Sequence, residues 1–242
     1  MLKPIIRSLA RNLGYEILGP PRAYADQITL RGLLHRENIN LILDVGANVG
    51  QFVHAVHESG YQERIISFEP QASEHAQLLA LAAPDPNWTI ADRTALGADA
   101  GFLTMHRSSN SQSSSILPML ASHSDAEPRA GYIDTEQVQV NRLDDVCTLA
   151  PSDRVLLKID VQGYEKPVLD GARRILESCR AVLIEMSLIP LYEGQMLARP
   201  LWDMLEEVGF EAWSFEPGFR SPRSGRLLQL DGLFVRRNGS ME

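Results

Sequence analysis

The chain has few cysteines, few aromatic residues, and fewer cations than acids. Its two cysteines, Cys147 and Cys179, are too few for a disulfide framework and are not spaced as metal ligands. They read as two reduced, buried thiols of a cytoplasmic protein. No apolar run approaches the roughly 20 residues of a membrane span. The N-terminus lacks the uninterrupted apolar stretch and small-residue cleavage site of a signal peptide. With 23 Lys and Arg against 31 Asp and Glu, the net charge is -8. Such a surface repels phosphate backbones, so no nucleic-acid partner is expected. The dinucleotide fingerprint G-x-G-x-x-G and the Gly-Lys-Ser/Thr ending of a P-loop are both missing.

What is present is an ordinary globular composition, 44% apolar over 242 residues, enough to bury a sizeable core. Residues 1–38 read as an N-terminal helical extension, and 39–242 as one domain with no internal repeat. In the extension, Ile5, Ile6, Leu9 and Leu13 recur at helical spacing with Lys3, Arg7 and Arg11 between them. Such a helix suits an anionic membrane surface, the flank of its own domain, or a second copy of the chain in a homodimer.

From Leu41 onward strand and helix alternate. Leu41–Val45, Ile65–Phe68, Trp88–Ala91, Val155–Ile159 and Ala181–Glu185 are short apolar runs ending in turn chemistry. Val49–Ser59, Ser73–Ala83, Tyr164–Ser178 and Pro200–Val208 carry helical signals. The pattern predicts an open, mostly parallel sheet with helices on both faces. Residues 107–135, which include the serine tract 108–115, read as a long loop or lid.

In such a sheet ligands bind beyond the carboxyl ends of the strands, so the turn after the first strand is the place to look. It reads Asp44-Val-Gly-Ala-Asn-Val-Gly50. Gly46 and Gly50 free the backbone to approach a ligand, but Asn48 stands where the dinucleotide fingerprint needs glycine. An aspartate here repels a pyrophosphate and welcomes a cation or zwitterion. S-adenosylmethionine fits, with a sulfonium, an amino-acid end, a ribose and no phosphate. Glu69 ends the second strand, where a carboxylate accepts hydrogen bonds from ribose hydroxyls. Asp160 ends the strand Val155–Ile159, and Glu185 ends Ala181–Glu185. Both acids should reach the same rim, where a hydroxyl proton has to be received as the methyl group moves.

DVGANVGQF, SFEP, ALG, RLDDV, LKIDVQGYE, IEMSLIPLYEG and DGLFVRR follow in that order over about residues 40–236. This succession resembles the FkbM family of S-adenosylmethionine-dependent methyltransferases. The resemblance implies a class I methyltransferase, Rossmann-like fold with a seven-stranded, mostly parallel sheet. It also implies O-methylation of a hydroxyl on a small molecule, sugar, glycolipid or other natural product, with a non-catalytic S-adenosylmethionine-binding protein or an N-acceptor enzyme as the alternatives. By position, Asp44, Gly46, Ala47, Asn48 and Gly50 would line the methionine part of the cofactor. Glu69 would hold the ribose, Ala95 and Leu96 would flank the adenine, and Asp160 would stand at the reaction centre with Glu185 as helper. Gln162 departs from the family, which often has an acid there, and this weakens any scheme needing a second carboxylate in that turn. Mg²⁺ is the ion Asp160 and Glu185 would suit, though none is expected. Further candidates around the acceptor are His106, as a base before the serine tract, and Tyr192 and Trp202 as an aromatic wall.

Overall fold

The computed structural model describes residues 30–237. The N-terminal extension expected over 1–38 therefore lies mostly outside the described residues, as do the homodimer and membrane contacts assigned to it. Its last part is helical at 30–36 (α1) and is not set apart from the domain. Leu33 and Leu34 bury in the same cluster as Ile42, Val53 and Ile65.

Strands form where apolar residues run unbroken. β1 (Leu41–Val45) and β7 (Val155–Ile159) are buried at every position, as strands covered on both faces must be. With β2 (Arg64–Phe68), β3 (Trp88–Ile90), β8 (Cys179–Ser187), β9 (Phe210–Pro217) and β10 (Gln229–Arg236) they make one seven-stranded sheet, ordered β3-β2-β1-β7-β8-β10-β9. The five strands from β3 to β8 run parallel, and β10 pairs antiparallel with both β8 and β9. This is the class I methyltransferase architecture.

Side chains alternate across the sheet with period two. Leu41, Leu43, Val45, Leu157 and Ile159 face a core completed by the helices α5 (Leu143–Val146), α6 (Glu165–Asp170), α7 (Arg173–Ser178) and α8 (Ala198–Glu207), while α3 (Ala72–Ala82) follows β2. Ile42, Ile65 and Leu156 face the other way, onto α1 and α2 (Gln51–Glu58). Trp202 packs with Phe215 and Phe234 beside the first of these cores, not at the ligand cavity.

Two expectations change. Tyr164–Ser178 is not one helix but α6 and α7, separated at Gly171 and Ala172. A Cβ on Gly171 would come within 2.0 Å of the Gly97 carbonyl oxygen, so that close approach sets the break. Residues 107–135 are not structureless. β4 (Ala95–Leu96), β5 (Gly101–Ser108) and β6 (Tyr132–Asn141) form a second sheet, ordered β4-β6-β5. The segment between β5 and β6 holds short helical turns at Ser111–Ser113, Ala121–Ser124 (α4) and Pro128–Ala130. No helix of the described residues is long and apolar enough to cross a membrane.

Candidate active site

A cavity of about 410 Å³ opens over the carboxyl ends of the parallel strands. Its lining runs from Glu69 after β2, past Gly46 after β1 and Asp160 after β7, to Glu185 on β8 and Gln229 on β10. That path crosses four strand spacings of about 4.8 Å each, roughly 19 Å, long enough for two ligands side by side.

At the β1 end the backbone itself forms the cradle. Gly46 adopts φ +77°, and a Cβ there would sit 1.9 Å from the Asp160 carbonyl oxygen. Asn48 is also left-handed, at φ 48°, a conformation asparagine tolerates better than most residues. Its N–H donates to Glu69 Oε2 at 2.8 Å, and Gln71 N–H donates to Glu69 Oε1 at 2.8 Å. Glu69 thus ties the two turns together. Burial pushes its carboxyl up to about 7, against these hydrogen bonds, which pull it down. Ala95 and Leu96 line the cavity nearby, with Thr94 and Met105.

Asp44 does not face the cavity. It is fully buried, and its Oδ1 lies 3.0 Å from Lys158 Nζ. Ser67 Oγ donates to Oδ2 at 3.0 Å and accepts from Trp88 Nε1 at 2.9 Å. The register explains it, since Ser67, Asp44 and Lys158 are direct neighbours across β2, β1 and β7 and so share one face. Lys158 Nζ also donates to the Gly46 carbonyl at 2.8 Å, bracing the turn from beneath. The same correction applies to Ala47, buried with its N–H on the Phe68 carbonyl, and to Gly50, whose Cβ would strike Trp88 at 2.9 Å. All three shape the turn without lining the cavity. Lys158 was not expected to take part, although a lysine inside the apolar run Val-Leu-Leu-Lys-Ile was the signal.

Asp160 and Glu185 do come together, through Gln162. Its Nε2 donates to Asp160 Oδ1 at 2.9 Å and to Glu185 Oε2 at 2.7 Å. Gln229 Nε2 donates to the same Glu185 oxygen at 2.7 Å, and the Tyr192 hydroxyl donates to Gln162 Oε1 at 2.9 Å. Gln162 holds φ 53°, and its carbonyl accepts from Ser115 Oγ at 2.7 Å. The residue that departs from the family pattern is therefore the clasp between the two acids. Glu185 lies inside β8 rather than at its end. Burial and the charges of Asp160, Asp231 and Glu165 hold its carboxyl well above the usual carboxylate range. Among the described residues no group of three or more His, Cys, Asp or Glu is arranged to hold a metal ion. An amide nitrogen stands between the two carboxylates instead.

The serine tract folds down as a roof. Ser111 Oγ is 3.1 Å from Asn48 Nδ2, and Asn110–Ser114 line the cavity. His106 is stacked on Tyr132, ring centroids 4.9 Å apart, and is not part of the lining. His123, which stands in no motif of the chain, is part of it. The lining carries Glu69, Glu127, Asp160 and Glu185, and among the described residues no lysine or arginine. Phosphate is disfavoured not by Asp44 but by a lining that holds four acidic side chains and, among the described residues, no cation to pair a phosphate. The room, the glycine cradle and this charge suit a cationic, phosphate-free nucleoside such as S-adenosylmethionine.

Comparison with known proteins agrees. The Methyltransferase FkbM domain matches residues 44–212. A 2-O-methyltransferase, NoeI of Sinorhizobium fredii, is 25% identical over 186 residues, covering 71% of this chain and 76% of that protein. An rRNA methylase from Streptococcus thermophilus shares the fold at 8% identity and a TM-score of 0.50, over 92% of this chain and 99% of its own.

Proposed function

The chain belongs to the FkbM family of S-adenosylmethionine-dependent methyltransferases, and from that premise we propose that it methylates a hydroxyl of an uncharged, polyhydroxylated acceptor such as a sugar unit. The observation that carries this is a cavity wall with four acidic side chains and, among the described residues, no lysine or arginine. Carboxylates accept hydrogen bonds from hydroxyls and repel phosphorylated or carboxylated acceptors. The name of the NoeI relative supports oxygen as the acceptor atom.

When bound, S-adenosylmethionine supplies the electrophilic methyl group. The chain supplies position, which in a displacement at carbon carries much of the rate. Gly46 and Asn48 take the methionine end, Glu69 the ribose, and Ala95 with Leu96 the adenine, all in the β1–β2 half of the cavity. The acceptor takes the β8–β10 half, among His123, Glu127, Phe219 and Gln229. Asp160 and Glu185, held by Gln162, stand between the halves and align the acceptor hydroxyl.

Thermal shift with S-adenosylmethionine, S-adenosylhomocysteine and NAD, then mass spectrometry after incubation with methyl glycosides and the matching sugar phosphates, tests the reading. Stabilisation by the first two and O-methylation of the uncharged sugars are expected. Stabilisation by NAD alone, or methyl groups found only on amines or phosphorylated sugars, would overturn it.

The affinity for S-adenosylmethionine should depend on pH through Glu69. Its carboxyl titrates at about 7 in the free protein, and only the ionised form accepts from both ribose hydroxyls. Binding therefore strengthens as pH rises from about 6 to about 8, because the complex favours the deprotonated state. Glu69→Gln should bind on the order of 100-fold more weakly, from two lost charge-assisted hydrogen bonds, and its calorimetric titrations should lose this pH slope.

A further inference from the structure

His123 lies on α4 between β5 and β6, is 3% exposed, and lines the acceptor half of the cavity. Its ring packs edge-on to Tyr192 at 5.1 Å between centroids and against Phe219 at 5.3 Å. Those two residues come from the segments after β8 and before β10. Its Nδ1 is buried without a hydrogen-bond partner, and the residue lines the cavity; with the ring proton on that sealed Nδ1, Nε2 is the nitrogen able to accept another. A buried imidazole without a protein partner is unusual, because buried polar atoms are nearly always paired.

The neighbouring acids are less free to take a proton. Asp160 and Glu185 each accept from Gln162, and Glu185 accepts a second amide from Gln229. Burial and nearby negative charge raise the Glu185 carboxyl well above the usual carboxylate range.

We infer that His123 is the general base of the methyl transfer, taking the acceptor's hydroxyl proton at Nε2. The inference rests on the hydroxyl-acceptor reading above. As the oxygen lone pair forms the new C–O bond, the methyl–sulfur bond breaks and its electron pair stays on sulfur. The O–H bond pair stays on oxygen, and the proton moves to the imidazole. The resulting imidazolium is stabilised by Glu127, a charged neighbour on its own loop that also lines the cavity and is itself paired with Arg129 at 3.2 Å. Phe219 carries no charge, Tyr192 presents its ring, and Asp160 and Glu185 lie on the same cavity wall. Burial lowers the imidazole's proton affinity below the ordinary histidine value, with Glu127 opposing. The base is therefore neutral, and ready, at neutral pH.

Two measurements on wild type, His123→Asn and His123→Ala test this. The first is ¹⁵N NMR of ring-labelled histidine on the protein alone, with the His123 signal assigned by its loss in His123→Asn. A ring neutral at neutral pH that titrates below the free value is expected; a ring charged there overturns the inference. The second is turnover of S-adenosylmethionine with methyl β-glucopyranoside and the other methyl glycosides of the panel. Wild-type kcat should fall on the acid side as the ring protonates. The variants should lose on the order of 10²–10⁴-fold in kcat and the acid limb, with S-adenosylhomocysteine affinity unchanged. Added imidazole should restore part of the His123→Ala activity. Variants that keep wild-type kcat, or keep the acid limb, remove His123 from this role and leave the methyltransferase reading intact. A wild type that binds neither cofactor form overturns both. If none of the glycosides is methylated, the NMR result decides for or against His123.

Discussion

Lys158→Met should cost about 3–5 kcal/mol of stability, the range for breaking one side of a buried ion pair. The substitution keeps most of the side chain's volume, so the loss falls on the charge. Asp44 is fully buried with its Oδ1 3.0 Å from Lys158 Nζ, and without the ammonium its carboxylate has only the Ser67 hydroxyl. The Gly46 carbonyl loses its donor as well. Thermal denaturation should show Tm lower by about 10 °C or more. In the double variant Asp44→Leu/Lys158→Met no charge is left stranded, so much of the loss should return, because apolar replacements of buried pairs are often tolerated. A double variant no more stable than Lys158→Met would mean that the pair is not what holds this layer.

Gly46→Ala should weaken cofactor binding sharply. The added Cβ would lie 1.9 Å from the Asp160 carbonyl oxygen, in a backbone at φ +77° that alanine resists. The two turns must then move apart, and the rim at Asp160 moves with them. Strain and displacement together of about 3 kcal/mol weaken binding on the order of 100-fold. Calorimetric titration with S-adenosylhomocysteine measures this. Gly101→Ala is the control, since nothing lies within 4 Å of its Cβ position, and it should bind as wild type does. Equal affinities for the two variants would show that the cradle is not where the cofactor sits.

Much of this was legible in the chain. Apolar runs closed by turn residues, such as Leu41–Val45 and Val155–Ile159, become strands because they cannot leave that surface in water. Their carboxyl ends carry Gly46, Glu69 and Asp160 to one cavity because parallel strands all present that end on one side of the sheet. Other features depend on partners far away in sequence. Lys158 and Asp44 find each other by register, 114 positions apart by their residue numbers. The break between α6 and α7 depends on the Gly97 carbonyl, and the second sheet forms only where β4 and β5 meet β6, which comes later in the chain.

The site divides the same way. The sheet, the glycine turn and the rim acids Glu69 and Asp160 can be read along the chain, because local period and turn chemistry decide where strands end. What each acid faces was set by packing between distant segments. That packing turned Asp44 inward to a lysine, made Gln162 the clasp between Asp160 and Glu185, and brought His123 from a loop to the cavity wall. Those outcomes depend on burial and on contacts between distant segments, and neither is written in the spacing of residues along one strand.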